Sequence, residues 1–245
     1  MQRLDVSPQL LSVEPQLSRE ELQQAPSIEA AIELVTARYD FSRHPYFLWM
    51  AKDSTKRDDF RRTQVPFRFA VEAFPQALAA VLARMPRLET RQPIADNIAE
   101  EHGRGNLLVS HKATFLQYLR AMGAQPAELE RSCPTTVRAF NQSLLGFCLM
   151  HGPEAGAALL GVIEHLYVGI STQIAGTVGE RGWCAAGSQR HYEVHQVLDE
   201  THSRDLFDVA RPLWPERSAR EQVALGLTLG AHWFWTLYLD LHAAR

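Results

Sequence analysis

Three side chains able to bind a metal recur at helical spacing in the segment HYEVHQVLDETH, namely His195, Asp199 and His202. Each residue of an α-helix turns by about 100°, so side chains four and then three positions apart lie on one face. Two imidazoles and a carboxylate on one face are typical of a metal site. A solvated polar surface gives the same pattern, so the interpretation depends on partners from other helices.

Glu164 is the first candidate partner, because it lies near the middle of the strongly apolar stretch 154–178. A carboxylate buried in such a helix is costly unless a cation pairs with it. Either a metal ion or an arginine would meet that need.

The segment EEHGRGN introduces a third source of ligands, Glu101 and, ten residues later, His111. In one straight helix these two would lie about 15 Å apart, at about 1.5 Å per residue, which is too far for one site. Gly103 and Gly105 allow a break, because glycine readily leaves helical dihedral angles. We therefore expect the chain to double back at these glycines.

The complete candidate set has three carboxylates and three imidazoles but no thiolate. This mixture suits iron or manganese better than a structural zinc ion. Six ligands are too many for one catalytic metal with an open position, so we predict two metals bridged by a carboxylate, as in helical bundles with di-iron centres. The predicted ligands are Glu101, His111, Glu164, His195, Asp199 and His202.

The spacing of these six residues resembles that of the haem-oxygenase-like di-iron oxidases, also called iron-containing redox enzymes. Their fold is related to those of thiaminase II and the PQQ synthase. EEHGRGN is similar to the EExGxG segment of this family, and the resemblance extends from HPYF at position 44 to His202. It implies two Fe(II) ions, with Glu164 as the bridge and the other five residues as terminal ligands.

The resemblance also implies a function. Members use dioxygen as co-substrate and oxidise small biosynthetic metabolites of natural-product pathways through a peroxo-diferric intermediate. The expected reaction is N-oxygenation of an amine or oxidative C–C cleavage of an amino-acid-derived substrate, with an external electron donor as a further partner. Two alternatives stay open: a metal-independent thiaminase-II-like hydrolase or cofactorless oxidase of the same fold, and a non-catalytic helical interaction protein.

Several polar residues near the predicted ligands are candidates for contacts with a ligand or with substrate. His191 precedes His195 by four positions and extends its helical face. Glu100 is a weaker alternative to Glu101. The other candidates are Glu72, His102 and Arg104.

The fold that must position these residues is predicted to be all-α. Nearly every segment after residue 26 has the 3.6-residue apolar period, and none shows the alternation of a strand. We expect one compact, haem-oxygenase-like bundle of about seven helices over residues 27–245. Residues 1–26 are polar and are predicted to form a flexible N-terminal arm.

The composition of the chain limits the kinds of partner that we expect it to bind. The net charge is −3 without a basic stripe, which argues against nucleic acid. No recognisable signal segment or run of 18 apolar residues occurs, and the three cysteines are far apart, so we expect a cytoplasmic protein that is neither secreted nor embedded in a membrane. The predicted partner is a small molecule. Aromatic patches near both ends suggest a homodimer.

Overall fold

The structure is a computed structural model, and it describes residues 17–185 and 187–244. The described residues contain helices and no β-strand, which confirms the all-α prediction. Eight helices of eleven or more residues form the bundle, close to the predicted seven: α2 (Ile28–Arg38), α4 (Arg57–Leu82), α5 (Leu88–Glu101), α6 (His111–Ala121), α8 (Thr135–Met150), α9 (Pro153–Glu180), α10 (Arg190–Ala210) and α11 (Arg217–Ala243).

Shorter helices connect or precede these. They are α1 (Arg19–Gln23), α3 (Pro45–Met50) and α7 (Pro126–Leu129), with 3₁₀ turns at Phe41–Arg43, Leu107–Val109 and Arg211–Leu213. Of the predicted N-terminal arm, residues 1–16 lie outside the described residues. The remainder includes α1, where Ser18 caps the helix and Leu22 is fully buried, so ordered structure begins before Ser27.

Helix α9 is the centre of the bundle and packs most extensively against α10 and α11. Its close approach to α11 depends on a missing side chain: a Cβ at Gly226 would lie 2.3 Å from the carbonyl oxygen of Ala155. Most of α9 is therefore buried, including Glu164. The burial of this helix explains its apolar composition.

Two helices, α4 and α9, are long and apolar enough to pass a membrane-span test by length and composition. Their apolar windows are 50% and 78% buried inside the bundle, respectively. Core helices of a globular bundle pass the same test, so this is weak evidence for a membrane segment.

Candidate metal centre

The six predicted ligands converge from four helices. Glu101 ends α5, His111 begins α6, Glu164 lies in α9, and the triplet His195, Asp199 and His202 lies on α10. Each of the six side chains belongs to a residue that is at most 7% exposed. The polar face of α10 is thus turned into the bundle and is not a solvated surface.

The predicted break after Glu101 is present. Gly103, Arg104 and Gly105 all have positive φ angles of 74°, 49° and 89°, which end α5 and reverse the chain. A Cβ at Gly103 would lie 2.2 Å from the carbonyl oxygen of Asn106, so the turn requires glycine there. The reversal brings Nδ1 of His111 to 2.9 Å from Oε1 of Glu101.

Three residues form a compact group that we call the compact trio: Glu164, Asp199 and His202. One potential ligand atom from each lies within 4.8 Å of the others. Nδ1 of His202 is 3.4 Å from Oε2 of Glu164 and 3.9 Å from Oδ1 of Asp199. These atoms surround a point at which one ion could bind all three.

The remaining three, Glu101, His111 and His195, form a second group that we call the open trio. The rings of His111 and His195 are 4.4 Å apart between centroids. Nδ1 of His195 lies 2.8 Å from Oδ1 of Asp199, which links the two trios. The α10 triplet is thus divided, with His195 facing the open trio and the other two residues in the compact trio.

The polar atoms of these residues fit a metal. In Glu164, His195, Asp199 and His202, one side-chain polar atom contacts a protein partner, while the other is buried without a hydrogen bond among the described residues. Nδ1 of His111 is also unsatisfied, because its contact with Glu101 is not aligned as a hydrogen bond. Such buried atoms are costly unless a ligand satisfies them. The unpaired atoms are Nδ1 of His111, Oε2 of Glu164, Nε2 of His195, Oδ2 of Asp199 and Nδ1 of His202.

The electrostatics of this cluster also favour the binding of a cation. Burial raises the pKa of Glu164 to about 7 and raises the pKa of Asp199 well above its usual range. Burial alone would lower the pKa of His202, but the contact and charge of Glu164, with Glu100 and Asp199, raise it to about 10. Without metal, a proton on His202 thus supplies part of the charge that the carboxylates require. Divalent cations would supply more.

Two supporting residues hold the ligands in place. Nδ2 of Asn97 donates to Oε1 of Glu164 at 3.0 Å, and Nε2 of His202 lies 2.5 Å from Oε2 of Glu100. The sequence pattern does not point to Asn97, and it offers Glu100 only as an alternative ligand. The available signal was the spacing of Asn97, one helical turn before Glu101 on the same face of α5.

His191 lies beside the open trio but uses both ring nitrogens within the protein. Nε2 is 3.2 Å from the Tyr167 hydroxyl, and Nδ1 is 3.5 Å from Oγ1 of Thr114. Burial, then the charges of His195 and His111, hold its pKa well below the usual range, so the ring is neutral. Its ring lies 4.4 Å from that of His195, between centroids, and packs against it. His191 therefore packs against a predicted ligand, and a supporting role for it stays a prediction.

The structure does not bring the other three candidates into the centre. Glu72 is exposed and paired with Lys112. His102 is exposed, and its Nδ1 contacts the carbonyl oxygen of Ile98. Arg104 is exposed and binds Oε1 of Glu100 at 2.5 Å. Both His102 and Arg104 are exposed residues at the glycine turn, whereas Glu72 lies on the outer face of α4.

A cavity of about 50 Å³ borders five of the six predicted ligands. The remaining walls are mainly aromatic and aliphatic, and no lysine or arginine from the described part of the chain lines it. The apolar wall consists of Phe67, Ala70, Val71, Phe74, Phe140, Ile163 and Phe234, and Tyr167 completes it. Its small, mainly apolar interior suits a gas molecule and the reacting end of a larger substrate.

Solved structures define the class of fold. A domain of unknown function with a heme oxygenase-like fold from Shewanella denitrificans superimposes with a TM-score of 0.71 at 12% identity, covering 88% of this chain and 92% of that one. A TenA homologue from Pseudomonas syringae gives a TM-score of 0.69 at 13% identity, covering 94% and 98%. At these identities the likeness shows the fold alone. The protein is a heme oxygenase-like helical bundle with an internal cluster of carboxylates and histidines.

The family follows from the sequence match. Residues 64–235 match the family of iron-containing redox enzymes, and this chain belongs to that family. A protein named 4-aminobenzoate synthase from Chlamydia trachomatis is 23% identical over 176 residues, or 71% of this chain and 75% of that protein. The protein of the same name from Chlamydia muridarum is 23% identical over 164 residues, covering 66% and 68%.

Proposed function

We propose that this protein is a non-haem di-iron enzyme that uses dioxygen to oxidise a small biosynthetic metabolite. The observation that carries the proposal is the set of buried, unpaired ligand atoms in both trios. Membership of the iron-containing redox enzymes supports iron as the metal. Oxygen and nitrogen ligands without thiolate agree with this choice.

Each ligand has a separate task in this proposal. The open trio would hold one iron through Glu101, His111 and His195. Asp199 and His202 would hold the other iron, and Glu164 would lie between the two as the bridge. Two Fe(II) ions would supply the electrons and open coordination positions with which dioxygen is activated.

The protein itself positions and shields these ligands. Asn97 orients the carboxylate of Glu164. Phe67, Phe140 and Phe234 exclude water from the cavity beside the ligands. A dry pocket prevents hydrolysis and proton leakage while a reactive oxidant exists.

For the substrate, we propose N-oxygenation of an amine or oxidative C–C cleavage of an amino-acid-derived molecule. The Chlamydia relatives are named for a product that is an aromatic amine, which supports amine chemistry. The cavity offers no acidic or basic group apart from the metal centre and its histidines. The group that reaches the irons would therefore be uncharged, as a neutral amine is. An external electron donor, a homodimer and a cytoplasmic location stay predictions of the sequence.

The alternative of a metal-independent thiaminase-II-like hydrolase shares the fold of the TenA neighbours. It requires a reactive cysteine, since a thiolate is the nucleophile. Burial raises the pKa of Cys133 and Cys184, and it raises that of Cys148 to about 12. None of the three lines the cavity. No observation therefore favours this reaction.

Anaerobic titration with Fe(II), followed by exposure to dioxygen, tests the proposal. We expect two irons per chain and a transient visible absorption band in the wild-type protein. His202→Ala should bind one iron and lose the band, whereas the control His102→Ala should behave as wild type because His102 is exposed. A wild-type protein that binds no iron, or a His202→Ala variant with the full band, would contradict the di-iron proposal.

A further inference from the structure

A second pocket, of about 290 Å³, borders the metal centre at His111. Its walls include His111 and His191, which also line the smaller cavity. Unlike that cavity, whose carboxylates all belong to predicted ligands, it is also lined by arginines; its charged residues are Glu100, Arg104 and Arg190. We call it the polar pocket.

Glu100 connects the polar pocket to the compact trio. Its carboxylate is 21% exposed, and each of its oxygens has a different partner. Oε1 binds Nη2 of Arg104 at 2.5 Å, and Oε2 lies 2.5 Å from Nε2 of His202. A carboxylate accepts hydrogen bonds, so Nε2 of His202 carries the proton and donates it.

This contact determines which nitrogen of His202 faces the other ligands. With Nε2 engaged by Glu100, Nδ1 points to Glu164, 3.4 Å away, and has no hydrogen bond. A histidine ligand is commonly oriented in this way by a carboxylate on its other nitrogen. Arg104 is well placed to hold the carboxylate, because the left-handed turn from Gly103 to Gly105 brings its side chain back toward α5.

We propose that Glu100, held by Arg104, is the positioning residue of His202 and so determines which ring nitrogen of this ligand faces the compact trio. This inference rests on the proposed metal-binding function. His202 is 3% exposed, whereas the carboxylate of Glu100 is 21% exposed and lines the polar pocket. Glu100 is therefore the group through which the polar pocket contacts this buried ligand.

Anaerobic Co(II) titration of the full chain, followed by its absorption spectrum, measures this role without using catalysis. In Glu100→Ala we expect the affinity for one of the two ions to fall roughly 10- to 100-fold, the range for residues that orient a ligand. Glu100→Gln should lose less, because its amide oxygen can still accept the N–H of His202. Arg104→Gln should lose least. Glu89→Gln, an exposed carboxylate on the same helix, is the matched control and should match wild type.

Proton NMR of the Co(II)-loaded protein gives a second readout. The Nε2–H of His202 should appear as a strongly shifted, slowly exchanging signal in wild type, because Glu100 protects it. That signal should disappear in Glu100→Ala through exchange with water. If Glu100→Ala does not fold by circular dichroism, Glu100→Gln and Arg104→Gln decide the result by the same two measurements.

The outcomes separate the two proposals. Wild-type affinity for both ions in Glu100→Ala, with the protected signal retained, overturns the role of Glu100 and leaves the di-iron proposal intact. A wild-type protein that binds no Co(II) and no Fe(II) overturns both. Weakened binding in Glu89→Gln equal to that in Glu100→Ala would assign the effect to surface charge and would also overturn the positioning role.

Discussion

The compact trio and the open trio contain the same number of ligands but are built in different ways. Glu164, Asp199 and His202 come from α9 and α10, two long helices that pack against each other along much of their length. Glu101 and His111 instead come from the two sides of a tight turn in left-handed conformation. One trio therefore depends on helix packing and the other on the conformation of three residues. Changes to the turn should affect the two trios unequally.

The largest expected effect is at Glu164, which would bridge the two irons in our proposal. Glu164→Gln keeps the size and the contact with Asn97 but removes the negative charge between the irons. We expect the affinity for both ions to fall by more than roughly 100-fold, which is the upper limit for residues that only orient a ligand. Isothermal titration calorimetry with Fe(II) under nitrogen measures the affinity for each ion. Loss of only one ion would show that Glu164 belongs to the compact trio alone.

A change in the turn should separate the trios. Gly103→Ala places a methyl group 2.2 Å from a carbonyl oxygen, in addition to the roughly 1–2 kcal/mol cost of a left-handed non-glycine residue. We expect a lower free energy of unfolding in urea and loss of the ion at the open trio. Gly105→Ala is the control, because it has the same strain but no atom within 4 Å of the added Cβ. Equal destabilisation in both variants would remove the steric explanation.

A change of pH should alter metal affinity mainly at the compact trio. The pKa of His202 is raised to about 10, so at neutral pH a metal must displace its proton. Affinity for one ion should therefore increase with pH between 6 and 9, by up to about tenfold per unit for each proton displaced. In the metal-free protein the sign is opposite: protonated His202 stabilises the fold below its unfolded pKa, and this contribution is lost as pH rises through about 10. Metal titrations and urea unfolding across this range check both signs.

The smallest expected effect is at Tyr167, which contacts His191 beside the open trio. Tyr167→Phe removes the hydroxyl that contacts Nε2 of His191 and leaves a buried nitrogen unpaired, at a cost of about 1 kcal/mol. We expect a small loss of stability and a change of only a few-fold in metal affinity. Tyr118→Phe is the matched control, because its buried hydroxyl has no hydrogen bond to lose among the described residues. A larger loss in Tyr118→Phe would contradict the assigned support role.

Much of the centre could be predicted because its ligands have distinctive chemistry and spacing. The three ligands of α10 follow the helical period, and Glu164 interrupts an apolar stretch. The glycine turn was also predictable, since two glycines flank Arg104 where a straight helix would separate Glu101 from His111. The supporting contacts of Asn97 and Glu100 were less visible. Asparagine and glutamate are ordinary on exposed helix faces, and only their neighbours in space make them functional.

The residue types and their periodicity by themselves determined the all-α class and the six candidate ligands, and the resemblance of their spacing to a known family implied the family. They did so because local spacing decides which side chains share a helical face. Tertiary structure alone decided how the ligands are grouped, since His195 and His202 lie on one helix but face different partners. It also decided that Arg104 is outside the centre and that Glu100 contacts His202. Those contacts depend on how α5, α9 and α10 pack, and packing joins residues that are far apart in the chain.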